Sequence, residues 1–280
     1  MKNKNKNISF LGPKGTYSEA AALIYKNNDE KLLVAKKNIF EVLESVEKGI
    51  IHEGIVPIEN SRVGSIIETI DYLINSKNLF INHQILIDIE ACLISKSKIL
   101  NLKDITEIIS KREAINQCNL WISKYLDKNV KISESFSTGE AVANLKNLPD
   151  NVAAIGPESA ALINKHYILE KGIQDYKNNI TKFVVVSNNK STKTGKDNTT
   201  IAFNFKVSDE AGLLLSALEC FSKRNINLHK IESRPEGSEF GNYIFIIDFK
   251  GHIQDNNIND ALKELSKITS LLKILGSYSF

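Results

Sequence analysis

Between Gly54 and Gly64 the chain reads G-I-V-P-I-E-N-S-R-V-G, so an apolar strand runs directly into the carboxylate of Glu59, the amide of Asn60, the hydroxyl of Ser61 and the guanidinium of Arg62. Hydrogen-bonding groups gathered at one strand end suit a polar ligand better than a core. The same punctuation recurs along the chain. Residues 8–11 read as a short strand, followed by the turn Gly12-Pro13-Lys14-Gly15 and by Thr16-Tyr17-Ser18-Glu19, a capping box. Ser65-Ile66-Ile67-Glu68 and Ser137-Thr138-Gly139-Glu140 repeat that box. In Gly156-Pro157-Glu158, Gly is placed to cap and Pro to take the first helical position. Helices that open at strand ends present unpaired amides and a positive dipole end, which favour anions. For each box taken singly, capping alone is the competing explanation.

The elements that must hold these groups follow from the periodicity. Strand 8–11 leads to a helix at 16–27, residues 32–35 to a helix at 39–48, and strand 53–58 to a helix at 65–75. This β-α alternation predicts a mostly parallel sheet with its ligand crevice at the carboxyl ends of the strands. Strand-like runs at 80–86 and 89–94 come next, then a capped turn at Asp104 and strand 107–109. A helix from Glu113 to Leu126, strand 130–135, helix 137–145, strand 152–155 and helix 157–164 complete a second β-α set, read as a second lobe. If a late strand, 181–187, rejoins the first lobe, the chain crosses between lobes twice and the cleft is a hinged one. Residues 188–198 contain no apolar side chain and read as a linker. Beyond it the order is strand 199–207, helix 211–224, strand 226–233, turn 235–241, strand 242–249, helix 257–267 and strand 271–279. That β-α-β-β-α-β order predicts a ferredoxin-like α+β domain.

Composition bounds the function. The 280 residues suffice for two or three compact units, with 42% hydrophobic and 25% charged residues. A net charge of +3, spread rather than striped, does not point to nucleic acid. Lys2, Lys4 and Lys6 alternate with asparagine in what reads as a frayed tail. No stretch reaches the roughly 20 apolar residues of a membrane span, and no signal-peptide core precedes Gly12-Pro13. The expectation is a cytoplasmic protein. Cys92, Cys118 and Cys220 are widely separated with apolar neighbours and read as buried reduced thiols. His52, His83, His166, His229 and His252 lack metal-ligand spacing, and Lys14 precedes Gly15 instead of following a Walker glycine.

Several blocks together resemble prephenate dehydratases. They are Leu11-Gly12-Pro13-Lys14-Gly15-Thr16-Tyr17-Ser18, Val56-Pro57-Ile58-Glu59-Asn60-Ser61 with Gly64, Thr181-Lys182-Phe183, and Lys230-Ile231-Glu232-Ser233-Arg234-Pro235. Ser110, Gln117-Cys118, Ser137-Thr138 and Ala153-Ala154-Ile155-Gly156 fall where that family has lesser motifs, so the similarity spans nearly the whole chain. The resemblance implies an α/β catalytic domain of two lobes, like periplasmic binding proteins, over 1–187 with its second lobe near 87–172. The linker 188–198 and an ACT regulatory domain over 199–280 would follow.

The activity implied is the decarboxylative dehydration of prephenate to phenylpyruvate on the route to phenylalanine, a carbon–oxygen lyase reaction needing no cofactor and no metal. By similarity, Thr181 directs its hydroxyl at the departing ring hydroxyl. Threonine has little acidity of its own, so Glu59 is the candidate proton source behind it, its pKa raised by a closed cleft; a carboxylate bonding backbone amides is the competing role. Asn60, Ser110 and Gln117 carry over as polar positioning groups, although Gln117 would otherwise read as helix surface. Gly15, Thr16, Ser61, Ser137, Thr138, Lys182 and Phe183 are the implied substrate contacts. An effector site for L-phenylalanine would use Gly212, Leu213, Leu214, Asn227, Leu228, Glu232, Ser233, Arg234 and Pro235. Pairing of ACT domains implies a homodimer or homotetramer, with no nucleic-acid or membrane partner.

The chain departs from the family at three places. Lys182 stands where arginine is usual and loses the bidentate fork. Lys111-Arg112-Glu113 replaces His-Pro-Gln, and Ala211-Gly212-Leu213-Leu214 replaces Pro-Gly-Ala-Leu, with Leu213 either altering effector affinity or filling the core. Arogenate dehydratase and a noncatalytic amino-acid-binding regulatory protein are the alternative functions.

Overall fold

The computed structural model describes residues 7–98, 101–206, 210–236 and 242–279. The chain divides into two compact units. The first holds Met1–Val42, Ile55–Ile66 and Leu86–Phe183, and the second holds Leu43–Gly54, Ile67–Ile85 and Val184–Phe280. The lysine–asparagine segment before Asn7 and the middle of the turn read at 235–241 lie outside the described residues.

The first unit begins with β1 (Ile8–Leu11) and α1 (Tyr17–Tyr25), followed by β2 (Leu33–Lys36), parallel to β1 with Leu11 opposite Lys36. Ile8 and Phe10 are fully buried, and Ala21 and Ala22 give α1 a small-residue face without exposure. After α2 (Ile39–Glu47), β3 (Glu53–Asn60) carries the polar cluster at its carboxyl end. A two-residue strand, β4 (Gly64–Ser65), folds back on it with Asn60 opposite Gly64. The backbone at Ser65 is extended, and α3 (Ile67–Asn75) starts two residues later.

β5 (Phe80–Asp88) leads to a five-stranded sheet built from 92–171. Its members are β6 (Cys92–Ser95), β7 (Glu107–Ser110), α4 (Arg112–Asn116), α5 (Asn119–Tyr125), β8 (Lys131–Glu134), α6 (Thr138–Asn144), β9 (Val152–Gly156), α7 (Glu158–Asn164) and β10 (Tyr167–Lys171). The strand order is β10-β6-β9-β7-β8. β7 runs parallel to β8 and β9, whereas β6 is antiparallel to β9 and β10, so this sheet is mixed. β10, unread in the sequence, is largely exposed and lacks the apolar run that marks a strand.

Period-two alternation explains the layers. Leu93, Ala153 and Ile155 pack on α4 and α5 through Ile115, Cys118 and Ile122. Cys92, Ile94, Val152 and Ala154 pack on the other side against Ala141, Val142, Ala160 and Ala161 of α6 and α7. β9, covered on both faces, is buried throughout, as a strand between two helical layers must be. The single helix read over 113–126 is two, because Gln117 and Cys118 interrupt it. Pro157 is the N-cap of α7 rather than its first residue.

β11 (Ile180–Ser187) completes the first unit's other sheet, where it neighbours β3 in the order β11-β3-β1-β2. β3, β5 and β11 contribute residues to both units.

The second unit contains β12 (Asp197–Phe205), α8 (Leu213–Ser222), β13 (Leu228–Pro235), β14 (Tyr243–Lys250), α9 (Asn256–Ile268) and β15 (Thr269–Ser279). The sheet order β13-β14-β12-β15 is the ferredoxin-like arrangement, and β5 adds in parallel to β15, with Gly276 opposite Ile81. Ile201, Phe203, Phe221, Ile247, Phe249 and Leu265 form its core. Asp197 begins β12 inside the segment read as a linker: its carboxylate accepts from Thr194 Oγ1 at 2.7 Å and from the Gly195 amide at 2.9 Å, which folds the polar run into a turn. Cys92, Cys118 and Cys220 are free and buried, as read.

Candidate functional site

Within the first unit a cleft of about 1180 Å³ lies at the strand ends of its two sheets. Its walls include Thr16, Tyr17, Asn60, Gln117, Ser137, Thr138, Thr181 and Phe183. Ligand pockets commonly measure about 300–1,000 Å³, so this one has room for a small molecule and water.

Thr181 is the second residue of β11, and its neighbour in the alternation, Phe183, is buried against the same cleft. Asn60 donates from Nδ2 to Thr181 Oγ1 at 2.9 Å and to Asn179 Oδ1 at 2.7 Å. Its Oδ1 accepts the backbone amides of Arg62 at 2.9 Å and Val63 at 3.1 Å, which fixes the plane of the amide. Accepting from Asn60 leaves the Thr181 hydroxyl its own proton to donate, and it finds no acceptor among the described residues. Gln117 reaches this group from the far wall: its Oε1 accepts from Asn179 Nδ2 at 2.8 Å. The helix break that exposes Gln117 has a local cause. Asp175 donates its amide to Gln117 O at 2.7 Å, and its carboxylate accepts the Leu120 and Trp121 amides, capping α5.

Thr16 and Ser137 line the cleft as helix caps. Thr16 Oγ1 accepts from the Glu19 amide at 3.3 Å and donates to the carbonyls of Leu11 and Pro13, while Ser137 Oγ accepts from the Glu140 amide at 3.0 Å. The glutamates of both boxes reach back past the cap, Glu19 to the Gly15 amide and Glu140 to that of Phe136. Thr138 lies in the cleft wall at the first turn of α6. Gly15 stands behind the wall at φ +82°, and a Cβ there would come within 2.8 Å of Ala160 Cα, so only glycine lets the loop meet α7.

Four candidates fall elsewhere. Glu59 and Lys182 each precede or follow a cleft residue by one position, so strand alternation turns them to the opposite face, where Lys182 Nζ sits 3.2 Å from Glu59 Oε2. Neither Glu59 nor Lys182 is among the residues that line the cleft. Ser110 is fully buried and donates to Ile155 O at 2.6 Å, a bond between neighbouring strands. Ser61 stitches β3 to β11, its amide donating to Ile180 O and its hydroxyl accepting from the Ile180 amide.

Sequence reading missed Asn179, Tyr17 and the lining lysines 36, 37 and 111. Tyr17 donates to Glu90 O, and burial pushes its phenol pKa upward. Lys36 ends β2 and Lys37 follows it, the strand-end position that the β-α logic singles out; Asn179 gave no signal, being one asparagine among several. The carboxylates Glu41, Glu113 and Glu140 also line the cleft, and Lys111 Nζ lies 3.5 Å from Glu113 Oε1.

The effector candidates lie in the second unit. Gly212, at φ +92°, is the N-cap of α8, with Leu213 and Leu214 half-buried in its first turn, outside the core cluster. Asn227 precedes β13, and Leu228 packs on the core. Glu232 pairs with Lys230 at 3.3 Å, Ser233 and Pro235 are exposed, and Arg234 Nη2 donates to Asp71 Oδ2 of α3 at 3.0 Å.

A two-lobed α/β region with a cleft whose largely apolar wall carries both lysines and glutamates, followed by a ferredoxin-like domain, is the class that this fold and site define. The family model for prephenate dehydratase matches residues 8–191 and that for the ACT domain matches 201–267. The prephenate dehydratase of Methanocaldococcus jannaschii is 36% identical over 282 residues, covering 98% of each chain. That of Bacillus subtilis is 32% identical over 281 residues, covering 97% of this chain and 98% of its own. A crystal structure of prephenate dehydratase in complex with L-Phe from Arthrobacter aurescens superposes with TM-score 0.88 at 31% identity, over 98% of this chain and 90% of that one. The chain belongs to the prephenate dehydratase family and carries an ACT domain.

Proposed function

We propose that the chain converts prephenate to phenylpyruvate, carbon dioxide and water, as a carbon–oxygen lyase in L-phenylalanine biosynthesis. The observation that carries this reading is the Thr181 hydroxyl, locked by Asn60 with its proton free to point into the cleft. The bond from the ring to its carboxylate breaks and releases carbon dioxide, the electron pair enters the ring, and the ring C–O bond breaks as the leaving oxygen takes up one proton, drawn from solvent, and departs as water. Thr181 donates a hydrogen bond to that oxygen, an interaction that strengthens as charge develops on it. Lys36, Lys37 and Lys111 are the cations lining the cleft for the two substrate carboxylates, the role first assigned to Lys182. The 1–187 segment is the catalytic domain, 188–198 the connection and 199–280 the regulatory domain. L-phenylalanine binds around Gly212 and the Glu232–Pro235 motif in a cytoplasmic homodimer or homotetramer; the L-Phe complex of the Arthrobacter relative supports L-phenylalanine as the effector, and the site and assembly are part of the proposal.

The test is turnover. The purified chain is offered prephenate and, separately, arogenate, with phenylpyruvate and phenylalanine quantified, alongside Thr181→Val and Thr181→Ser. The expected result is phenylpyruvate from prephenate, a loss of about 100-fold or more in kcat for valine, and partial retention for serine. Phenylalanine from arogenate alone would reassign the substrate, and no product from either would return the binding-protein reading.

A further inference from the structure

Asn179 is buried to 3% exposure at the point where the chain returns from the five-stranded sheet into β11, and it makes three contacts that no motif predicts. Its carbonyl accepts the Ile89 amide at 2.8 Å, tying the returning segment to the outgoing one. Its Oδ1 accepts from Asn60, and its Nδ2 donates to Gln117 Oε1. An amide NH₂ has two hydrogens; with one held on Asn179 at 2.7 Å, the other faces Thr181 Oγ1 at 2.9 Å, the Ile180 carbonyl being a longer contact at 3.3 Å. The chain Gln117–Asn179–Asn60–Thr181 therefore runs from one wall of the cleft to the other through two buried amides, Asn179 and Asn60.

We infer that Asn179 is a positioning residue for the reaction: it sets the orientation of the Thr181 hydroxyl through Asn60 and ties that orientation to the approach of the Gln117 wall. The inference rests on the proposed activity and deepens it. Asn179 acts through Asn60 and Thr181, so its loss weakens the transition state and leaves substrate binding largely intact. Aspartate at the same position keeps the shape. One carboxylate oxygen accepts from Asn60, and the other accepts from Gln117 once that amide turns over, at the cost of a negative charge beside a cleft built for an anion.

The test uses the full chain with prephenate. In Asn179→Ala, kcat is expected to fall about 20-fold or more with KM within about threefold and melting temperature little changed. In Asn179→Asp, kcat is expected to stay within about fivefold of the parent while KM rises about tenfold at neutral pH and recovers as pH falls through the new carboxylate's titration. A kcat for Asn179→Ala within twofold of the parent, or equal kcat losses in both variants with no new pH dependence, overturns the inference. A second readout is independent of turnover: in protein labelled with ¹⁵N-asparagine, the Asn60 side-chain protons exchange slowly in the parent and rapidly in Asn179→Ala. If the parent shows no activity but this protection is present and lost in the variant, the proposed function falls and the positioning claim stands. Protection unchanged by the substitution overturns the claim.

Discussion

At position 60 an aspartate would fit the space but not the bonds. Asn60 Nδ2 serves Asn179, Thr181 and the Ile180 carbonyl, all acceptors, and a carboxylate facing them can donate nothing. Asn60→Asp is therefore expected to cost about 2 kcal/mol in stability, from acceptors left unsatisfied, and about 100-fold in kcat. Denaturant unfolding and steady-state kinetics check both. One residue earlier the expectation reverses. Glu59 is paired with Lys182 outside the cleft wall, so Glu59→Gln should leave the pH profile of kcat in place and change kcat by no more than about threefold. A missing ionisation in that profile would restore Glu59 as the proton source. Both residues carried the same weight in the sequence; a strand's alternation separates them.

At the scale of elements, Cys118 stands in the break between α4 and α5 and is buried in the core of the five-stranded sheet. Burial pushes its thiol from 9.0 up to about 12. The folded state thus holds the proton more tightly than the unfolded chain. The stability this contributes is complete below about pH 9 and is lost as pH rises toward 12. The melting-temperature gap between the parent and Cys118→Ala should narrow between pH 8 and 10.5. Gly276 is the second element-scale test. A Cβ there would meet Ile81 O at 2.3 Å, so β15 pairs with β5 only because the position has no side chain. Gly276→Val should lose about 3 kcal/mol or more, read as a drop of several degrees in thermal melting.

For the molecule as a whole, the proposed effector motif is tied to the segment that follows β3. Arg234 donates to Asp71 on α3 and to Ile67 O at the start of that helix, and α3 is reached from Asn60 through six residues of chain, 61–66. An effector acts only by favouring one global state over another, so removing a bond present in one of them shifts the balance. Asp71→Asn is expected to move the phenylalanine concentration for half-inhibition by about threefold or more, with uninhibited kcat within twofold. Superimposable inhibition curves would detach this ion pair from regulation.

The sequence by itself determined what is local: strands and helices within a few residues, the caps at Thr16 and Ser137, the β-α-β-β-α-β order of the second unit, and the motifs that mark the family. Hydrophobic period and capping chemistry are written within a dozen neighbouring residues, so they survive without a tertiary context. Which polar residue faces the cleft was decided only by folding. Glu59 against Asn60, and Lys182 against Thr181, differ by one strand position, and the sheet pairing selects the face. Ser110 drops out because its hydroxyl meets a carbonyl 45 residues away, and Asn179 enters because its partners lie 119 and 62 residues distant. A hydrogen bond between such distant groups leaves no mark on either neighbourhood, since the physics that makes it acts through space rather than along the chain.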